Sequence, residues 1–189
     1  MFFTLNIFVT GGQMGENSQN CLIVISGPAG SGKSTISRRL WAIFPNRPAY
    51  VSLDAIKDLL YDAQSNDYDL GLAAENGLLL VANFLDHGHT VIVEKAFGKY
   101  EYVEPFLRLG NQRNVSVHYF KLYAPLQQLQ DRNKIRERRI PENRLEHIFR
   151  FHEEYTHEEG VSIDTSKQSL SETVGFIRNV VLGRETKPS

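Results

Sequence analysis

One cysteine, Cys21, stands in a chain of 189 residues. An internal disulfide is therefore impossible, as is a metal cluster held by several thiolates. Cys21 opens an apolar run, where a small buried side chain is its expected role. Charge of one sign is lacking too: 21 basic and 22 acidic residues leave a formal −1. No global field then draws the molecule to nucleic acid or to an anionic membrane, although a local basic patch could still serve. No apolar run reaches the roughly 20 residues of a bilayer span. Phe2 to Val9 is short, has no Lys or Arg before it and lacks a clear cleavage site, so a secretory signal is not expected. There is no internal repeat and no low-complexity tract. These absences point to an intracellular, cytoplasmic globular protein without a membrane association.

What is present is enough for one domain with a real core, and too little for two. Residues 1–20 read as a flexible extension, because Gly11, Gly12, Gly15, Asn17, Ser18, Gln19 and Asn20 follow the apolar stretch. Met14 is an alternative start. Residues 21–184 carry the domain, and 185–189 form a tail. Leu22 to Ser26 is continuously apolar up to a glycine and a proline, the pattern of a strand buried on both faces. Lys33 to Phe44 has helical spacing, with Ile36, Leu40, Trp41 and Phe44 expected on one face. Further strands are expected at Tyr50–Leu53, Thr90–Glu94, Val115–Leu122 and Val161–Asp164. Helices are expected from Asp54 to Leu60, Leu70 to Leu85 (largely buried), Val103 to Leu109, Leu126 to Arg139, Arg144 to Tyr155 and Leu170 to Leu182. Alternating strands and helices imply an α/β fold, a parallel sheet between two helical layers. Ligands of such sheets gather at the carboxyl ends of the strands.

Gly27-Pro28-Ala29-Gly30-Ser31-Gly32-Lys33-Ser34-Thr35 fits G-x-x-x-x-G-K-[ST] in full, between the first strand and the first helix. Glycines let backbone amides turn inward and approach phosphate oxygens. The helix start adds its positive dipole end. In this pattern Lys33 can span the β- and γ-phosphates, and the Ser34 hydroxyl can ligate Mg²⁺. The loop thus points to a bound nucleotide, ATP with Mg²⁺, and is silent on where the phosphate goes.

That question falls to the other strand ends. Asp54 directly follows the second strand, where a carboxylate can orient an attacking hydroxyl or take its proton; helix capping is the structural alternative. Asp58 lies one turn further on the same face. Glu94 ends the third strand and can hold Mg²⁺ through water or position a substrate group. Lys95 and Lys99 follow, either as contacts to an anionic acceptor or as surface charges. Arg132, Arg136 and Arg139, spaced i, i+4, i+7, make one basic stripe if the helix runs through them. With Pro141 and a second helix beyond, the segment reads as a mobile hairpin whose guanidinium groups reach phosphate oxygens. His147, His152 and His157 do not compose a metal site on spacing alone.

Together, the Gly27–Thr35 motif, Asp54, Glu94 and the Arg132/Arg136 segment resemble the small P-loop kinases. That group includes shikimate and gluconate kinases, chloramphenicol phosphotransferase, zeta-toxin-like kinases and the kinase part of polynucleotide kinases, within the AAA_33-type P-loop ATPase domains. The similarity runs from about Asn20 to Leu182. It implies a three-layer α/β/α fold around a five-stranded parallel sheet, with a helical lid at about 132–145. By the same resemblance Arg132 and Arg136 clamp ATP phosphates. Asp54 binds the acceptor hydroxyl, and Asp164-Thr165-Ser166 lies near the adenine. Lys57 stands where many relatives carry an arginine, and Glu94 where aspartate is common.

The leading expectation is transfer of the ATP γ-phosphoryl group to a hydroxyl of a small molecule, with Lys33, Asp54, Arg132 and Arg136 catalytic and Lys57 and Glu94 at the acceptor. The alternatives are a polynucleotide 5′-hydroxyl kinase, which needs a basic groove, and a non-catalytic ATP-dependent binding or regulatory module. A nucleoside monophosphate acceptor would call for arginines near residues 54–62, and none is there.

Overall fold

Cys21–Ser26 forms β1, and all six residues are buried because neighbouring strands flank it on both sides and helices cover both faces. The computed structural model describes residues 20–45, 47–60, 70–155 and 158–184. Met14, the rest of the N-terminal extension, His157 and the tail 185–189 lie outside them. After β1 come α1 (Lys33–Ile43), β2 (Ala49–Ser52), α2 (Leu53–Leu60), α3 (Leu70–Asp86), β3 (Val91–Lys95) and α4 (Tyr100–Gln112). The chain continues through β4 (Ser116–Tyr123), α5 (Leu126–Lys134), α6 (Glu142–Glu154), β5 (Val161–Asp164) and α7 (Leu170–Val181). The five strands are all parallel, in the order β2-β3-β1-β4-β5.

Strand alternation divides the core into two layers. Leu22, Val24, Val91 and Val93 face α2, α3 and α4, where Leu53, Ile56, Val81, Val103 and Phe106 complete the packing. Cys21, Ile23, Ile25 and Ile92 face α1 and α7, against Ile36, Leu40, Val174 and Ile177. A third, smaller cluster of Ala124, Leu129 and Leu145, with Ala29, Ile140 and Phe149 beside it, joins α5 and α6 to the loop after β1. No helix among the described residues is long and apolar enough to cross a membrane.

Three expectations need correction. Trp41 is half exposed, at 49%, while Ile36, Leu40 and Phe44 are buried. Five residues of helix past Ile36 turn a side chain well off the inward line, whereas four or eight do not. Helix α3 is not largely buried: Ala73, Val81 and Leu85 pack inward in four-residue steps, and Leu72, Leu79 and Leu80 are exposed. The helix expected through Arg139 ends at Lys134. There Asn133 turns its side chain back on the chain, donating to the Ile140 carbonyl at 2.7 Å and accepting from the Ile140 amide at 3.0 Å. That clip closes residues 134–139 into a loop, so Arg132, Arg136 and Arg139 do not share a helical stripe.

The exit of β1 is fixed by Gly27, which has φ +146° and lies against β4. A Cβ built there would strike the Leu122 carbonyl, a backbone atom that cannot move aside. Gly27→Ala is therefore expected to lower stability by about 2–4 kcal/mol through strain and overpacking. Urea unfolding checks this, and an unchanged midpoint would count against it.

Candidate functional site

The loop from Gly27 to Ser34 leads from the carboxyl end of β1 into α1. Gly32, at φ 94°, is the residue before the helix and offers no side-chain cap, and the first turn carries no acidic residue. The first-turn amides are thus left for an external acceptor, at the positive end of the helix. Lys33 is buried, and its ammonium donates to the Pro28 carbonyl at 3.0 Å. Burial holds its pKa below the usual lysine value, with Glu94 and Asp54 opposing that shift and Arg136 adding to it. A cation so placed gains from an anion that replaces lost water.

Glu94 lies inside β3 rather than at its end and is only 2% exposed. Its Oε1 accepts from three hydroxyls, those of Ser34, Tyr50 and Ser52, each at 3.0 Å. These come from α1 and two positions of β2, and Ser52 is the registered partner of Glu94 across the sheet. Burial, then the charge of Glu94, pushes the Tyr50 hydroxyl up to about 12, so it remains a donor. Oε2 is buried and has no hydrogen-bond partner among the described residues. Because Ser34 gives its proton to Oε1, its lone pairs remain for a cation. A carboxylate oxygen without a partner beside a serine oxygen fits a hydrated Mg²⁺, which takes few protein ligands and completes its shell with water and phosphate. No trio of His, Cys, Asp or Glu gathers for a metal among the described residues.

Asp54 sits in the first turn of α2, exposed, within electrostatic reach of Lys33 and of Lys95. Capping of this helix falls to Ser52, whose Oγ accepts from the Ala55 amide at 3.4 Å. Asp54 is thereby left for another task. Asp58 pairs with Arg138 at 3.8 Å, a contact between α2 and the loop after α5. Lys57 and Lys95 are both half-buried and close enough to repel each other.

The basic residues separate. The Arg132 guanidinium donates to the Gly30 carbonyl (3.1 Å), to Thr165 Oγ1 (3.0 Å) and to the Thr165 carbonyl (2.7 Å). It ties the phosphate loop to the turn after β5. Arg136 and Arg139 are exposed, and only Arg136 acts on Lys33 electrostatically. Lys99 is occupied by aromatic faces, 4.2 Å from the Tyr155 ring centroid and 5.8 Å from that of Phe151. Gly98 lets the Phe151 ring lie flat on the chain beyond β3, since a Cβ there would strike it. Helix α6 is therefore packed down across the site. It carries His152, which burial, and secondarily the charge of Lys33, pushes down to about 4.

Sequence reasoning missed Tyr50 and Ser52 and gave His152 no role. The first two become visible only once β2 is known to lie beside β3, and His152 only once α6 is folded over the loop. Between its unfolded value of 6.5 and about 4, His152 binds fewer protons folded than unfolded. Its contribution to stability is thus retained above that window and lost as pH falls through it. Thermal unfolding at pH 4.5 and pH 7 should show a smaller acid loss in H152Q than in the parent. Identical losses would remove His152 from this account.

The family model described as an AAA domain, AAA_33, matches residues 22–155. No curated protein matches the chain by sequence. Among solved structures, the tunicamycin resistance protein of Deinococcus radiodurans is 18% identical with a TM-score of 0.64, covering 90% of this chain and 100% of its own. A gluconokinase from Sinorhizobium meliloti 1021 is 16% identical with a TM-score of 0.63, covering 88% of this chain and 94% of its own. The APS kinase of Mycobacterium tuberculosis in complex with AMPPNP and APS is 14% identical with a TM-score of 0.64, covering 87% of this chain and 98% of its own. At such identities the likeness is one of fold, an α/β sheet arrangement shared with kinases. The family match covers most of the chain, and the protein belongs to the AAA_33 family of AAA domains.

Proposed function

We propose that the protein is an ATP-dependent kinase that transfers the γ-phosphoryl group to a hydroxyl of a small-molecule acceptor. The observation that carries this reading is the pairing of two differently built halves around Lys33. On one side lie the phosphate loop and the Ser34–Glu94 cluster; on the other lies Asp54, an exposed carboxylate within reach of Lys33. A binding module needs the first half alone.

In this reading the loop amides and Lys33 hold the nucleotide's phosphates, with Lys33 leaving the Pro28 carbonyl for a phosphate oxygen. Ser34 and Glu94 would hold Mg²⁺, which supplies charge neutralisation on the β- and γ-phosphates. Asp54 orients the acceptor hydroxyl and takes its proton as the new O–P bond forms and the bond to the β-phosphate oxygen breaks, releasing ADP. Arg136 offsets charge on the transferring group. Arg132 acts on the nucleotide by fixing Gly30 against Thr165, beside the expected adenine position. Among the structures of similar fold one is a gluconokinase and another an APS kinase, which supports a small acceptor.

The decisive measurement is ADP release, dependent on acceptor, across alcohols, sugars, hydroxy acids, nucleosides and 5′-hydroxyl oligonucleotides. Lys33→Ala should abolish turnover. Asp54→Asn should lower kcat by roughly 10²–10⁴ while leaving ATP bound. Tyr50→Phe should raise the Mg²⁺ concentration needed for half-maximal rate about tenfold, the size of loss seen when a supporting ligand contact is removed. Tight ATP binding without turnover on any acceptor, unaffected by Asp54→Asn, would instead establish a nucleotide-dependent binding module. Turnover confined to oligonucleotides would establish the polynucleotide reading.

A further inference from the structure

Asn133 lies in the last turn of α5, one turn beyond Leu129, and is only 5% exposed. A buried side-chain amide must find both a donor and an acceptor. Asn133 finds the two on a single residue: its Nδ2 donates to the Ile140 carbonyl at 2.7 Å, and its Oδ1 accepts from the Ile140 amide at 3.0 Å. The Asn133 carbonyl also accepts from the Arg136 amide, at 3.2 Å. One residue thus sets the entrance, the first turn and the exit of the loop 134–139. An aspartate there would lack the donor, and an apolar residue would leave the Ile140 amide and carbonyl unpaired.

Both ends of the loop are anchored. On the α5 side Arg132 is tied to Gly30 and Thr165. On the α6 side Ile140 packs against the cluster of Ala124, Leu129 and Leu145, and Pro141 leads into α6. Between them stand Arg136, Arg138 and Arg139, all exposed. Arg138 reaches Asp58 of α2 at 3.8 Å, one turn from Asp54, while Arg136 makes no ion pair within 4 Å among the described residues. The loop therefore runs from the helix tied to the phosphate loop across to the helix that carries Asp54. Its outer tie is one exposed ion pair, which is weak, whereas its root is a buried amide bonded twice. Contact with α2 yields first, and the loop leaves or returns with its shape intact. Ordering six exposed residues costs conformational entropy, and the clip meets that cost in folding rather than on ligand binding.

We propose that Asn133 is a positioning residue, holding 134–139 preformed so that Arg136 meets the γ-phosphate without any ordering of the loop on binding. This rests on the kinase reading, in which Arg136 offsets charge on the transferring group. Asn133 acts through Arg136 and touches neither nucleotide nor acceptor. Its signature is therefore discrimination between nucleotides with and without a γ-phosphate, not affinity for both alike.

Calorimetric titration of the full chain with Mg²⁺–AMPPNP and with Mg²⁺–ADP measures that discrimination. Arg136→Ala should lower the ratio of AMPPNP to ADP affinity about tenfold, the loss of one charge-assisted contact. Asn133→Ala should lower it by a similar factor, and the double variant by no more than either single one. Asn133→Asp keeps the side-chain volume, removes only the donor and should act in the same direction, which covers the case in which Asn133→Ala does not fold. Trypsin should cut within 134–139 about tenfold faster in the Asn133 variants, because Lys134, Arg136, Arg138 and Arg139 then stand in an opened loop. Equal loss of both nucleotides, an unchanged ratio, parental resistance to trypsin, or additive effects of Asn133→Ala and Arg136→Ala overturns the proposal. An unchanged ratio in Arg136→Ala overturns it too, since nothing is left for Asn133 to position. Failure of the parent protein to bind AMPPNP is a separate result, one that removes the kinase reading itself.

Discussion

Three hydroxyls converge on one oxygen of Glu94, and much of the site depends on that convergence. Ser34 belongs to the first turn of α1, Tyr50 and Ser52 to β2, and Glu94 to β3. A buried carboxylate is expensive unless its oxygens are satisfied. Here the cost is offset on one oxygen only, and the other is buried without a hydrogen-bond partner among the described residues. The same contacts fix the start of α1 relative to the ends of β2 and β3. Removing a hydroxyl would loosen that relation before it disturbed the core, since of these residues the Tyr50 ring packs against an apolar layer and its hydroxyl does not carry that contact.

The segment from α5 to α6 obeys a different logic. Its apolar contact is small, a cluster of Ala124, Leu129 and Leu145, and much of its attachment is polar or aromatic. Arg132 ties α5 to Gly30 and Thr165, Arg138 reaches Asp58, and Lys99 stacks on Phe151 and Tyr155. Exposed ion pairs contribute little each. An element held mainly by such contacts lies at the low-stability end of a structure, where opening for ligand entry is inexpensive.

The fold was legible because its signals are local. A continuous apolar strand, a phosphate-loop motif and amphipathic helices in alternation each reside within a dozen residues. So did the identity of Lys33, Ser34, Asp54 and Glu94 as candidates, since a strand end places a residue at the ligand edge. What failed was set by side-chain contacts that spacing does not show. The basic helix seemed continuous because no Pro or Gly stands between Arg132 and Arg139; the terminator is Asn133, whose side chain reaches forward to Ile140. Asp54 reads as an acceptor residue with capping as the alternative; the side-chain cap observed at the start of α2 comes from Ser52, two residues earlier. His152 carried no local signal, since its neighbour Lys33 lies more than a hundred residues away in the chain.

One strand, by alternation alone, sets the division of labour. Odd and even positions of β3 address different helical layers, so the step from Glu94 to Lys95 moves from a carboxylate among hydroxyls to an ammonium beside Asp54 and Lys57. A one-residue slip in the pairing of β3 with β1 would exchange the two, placing a cation among the hydroxyls of Ser34, Tyr50 and Ser52 and a carboxylate beside Asp54. The apolar residues of β3 pin that register, since Val91 and Val93 on one face and Ile92 on the other are fully buried. Hydrophobic packing therefore sets the charge pattern of the site. The two faces of the sheet can differ in sign at this edge while the charges stand on neighbouring residues.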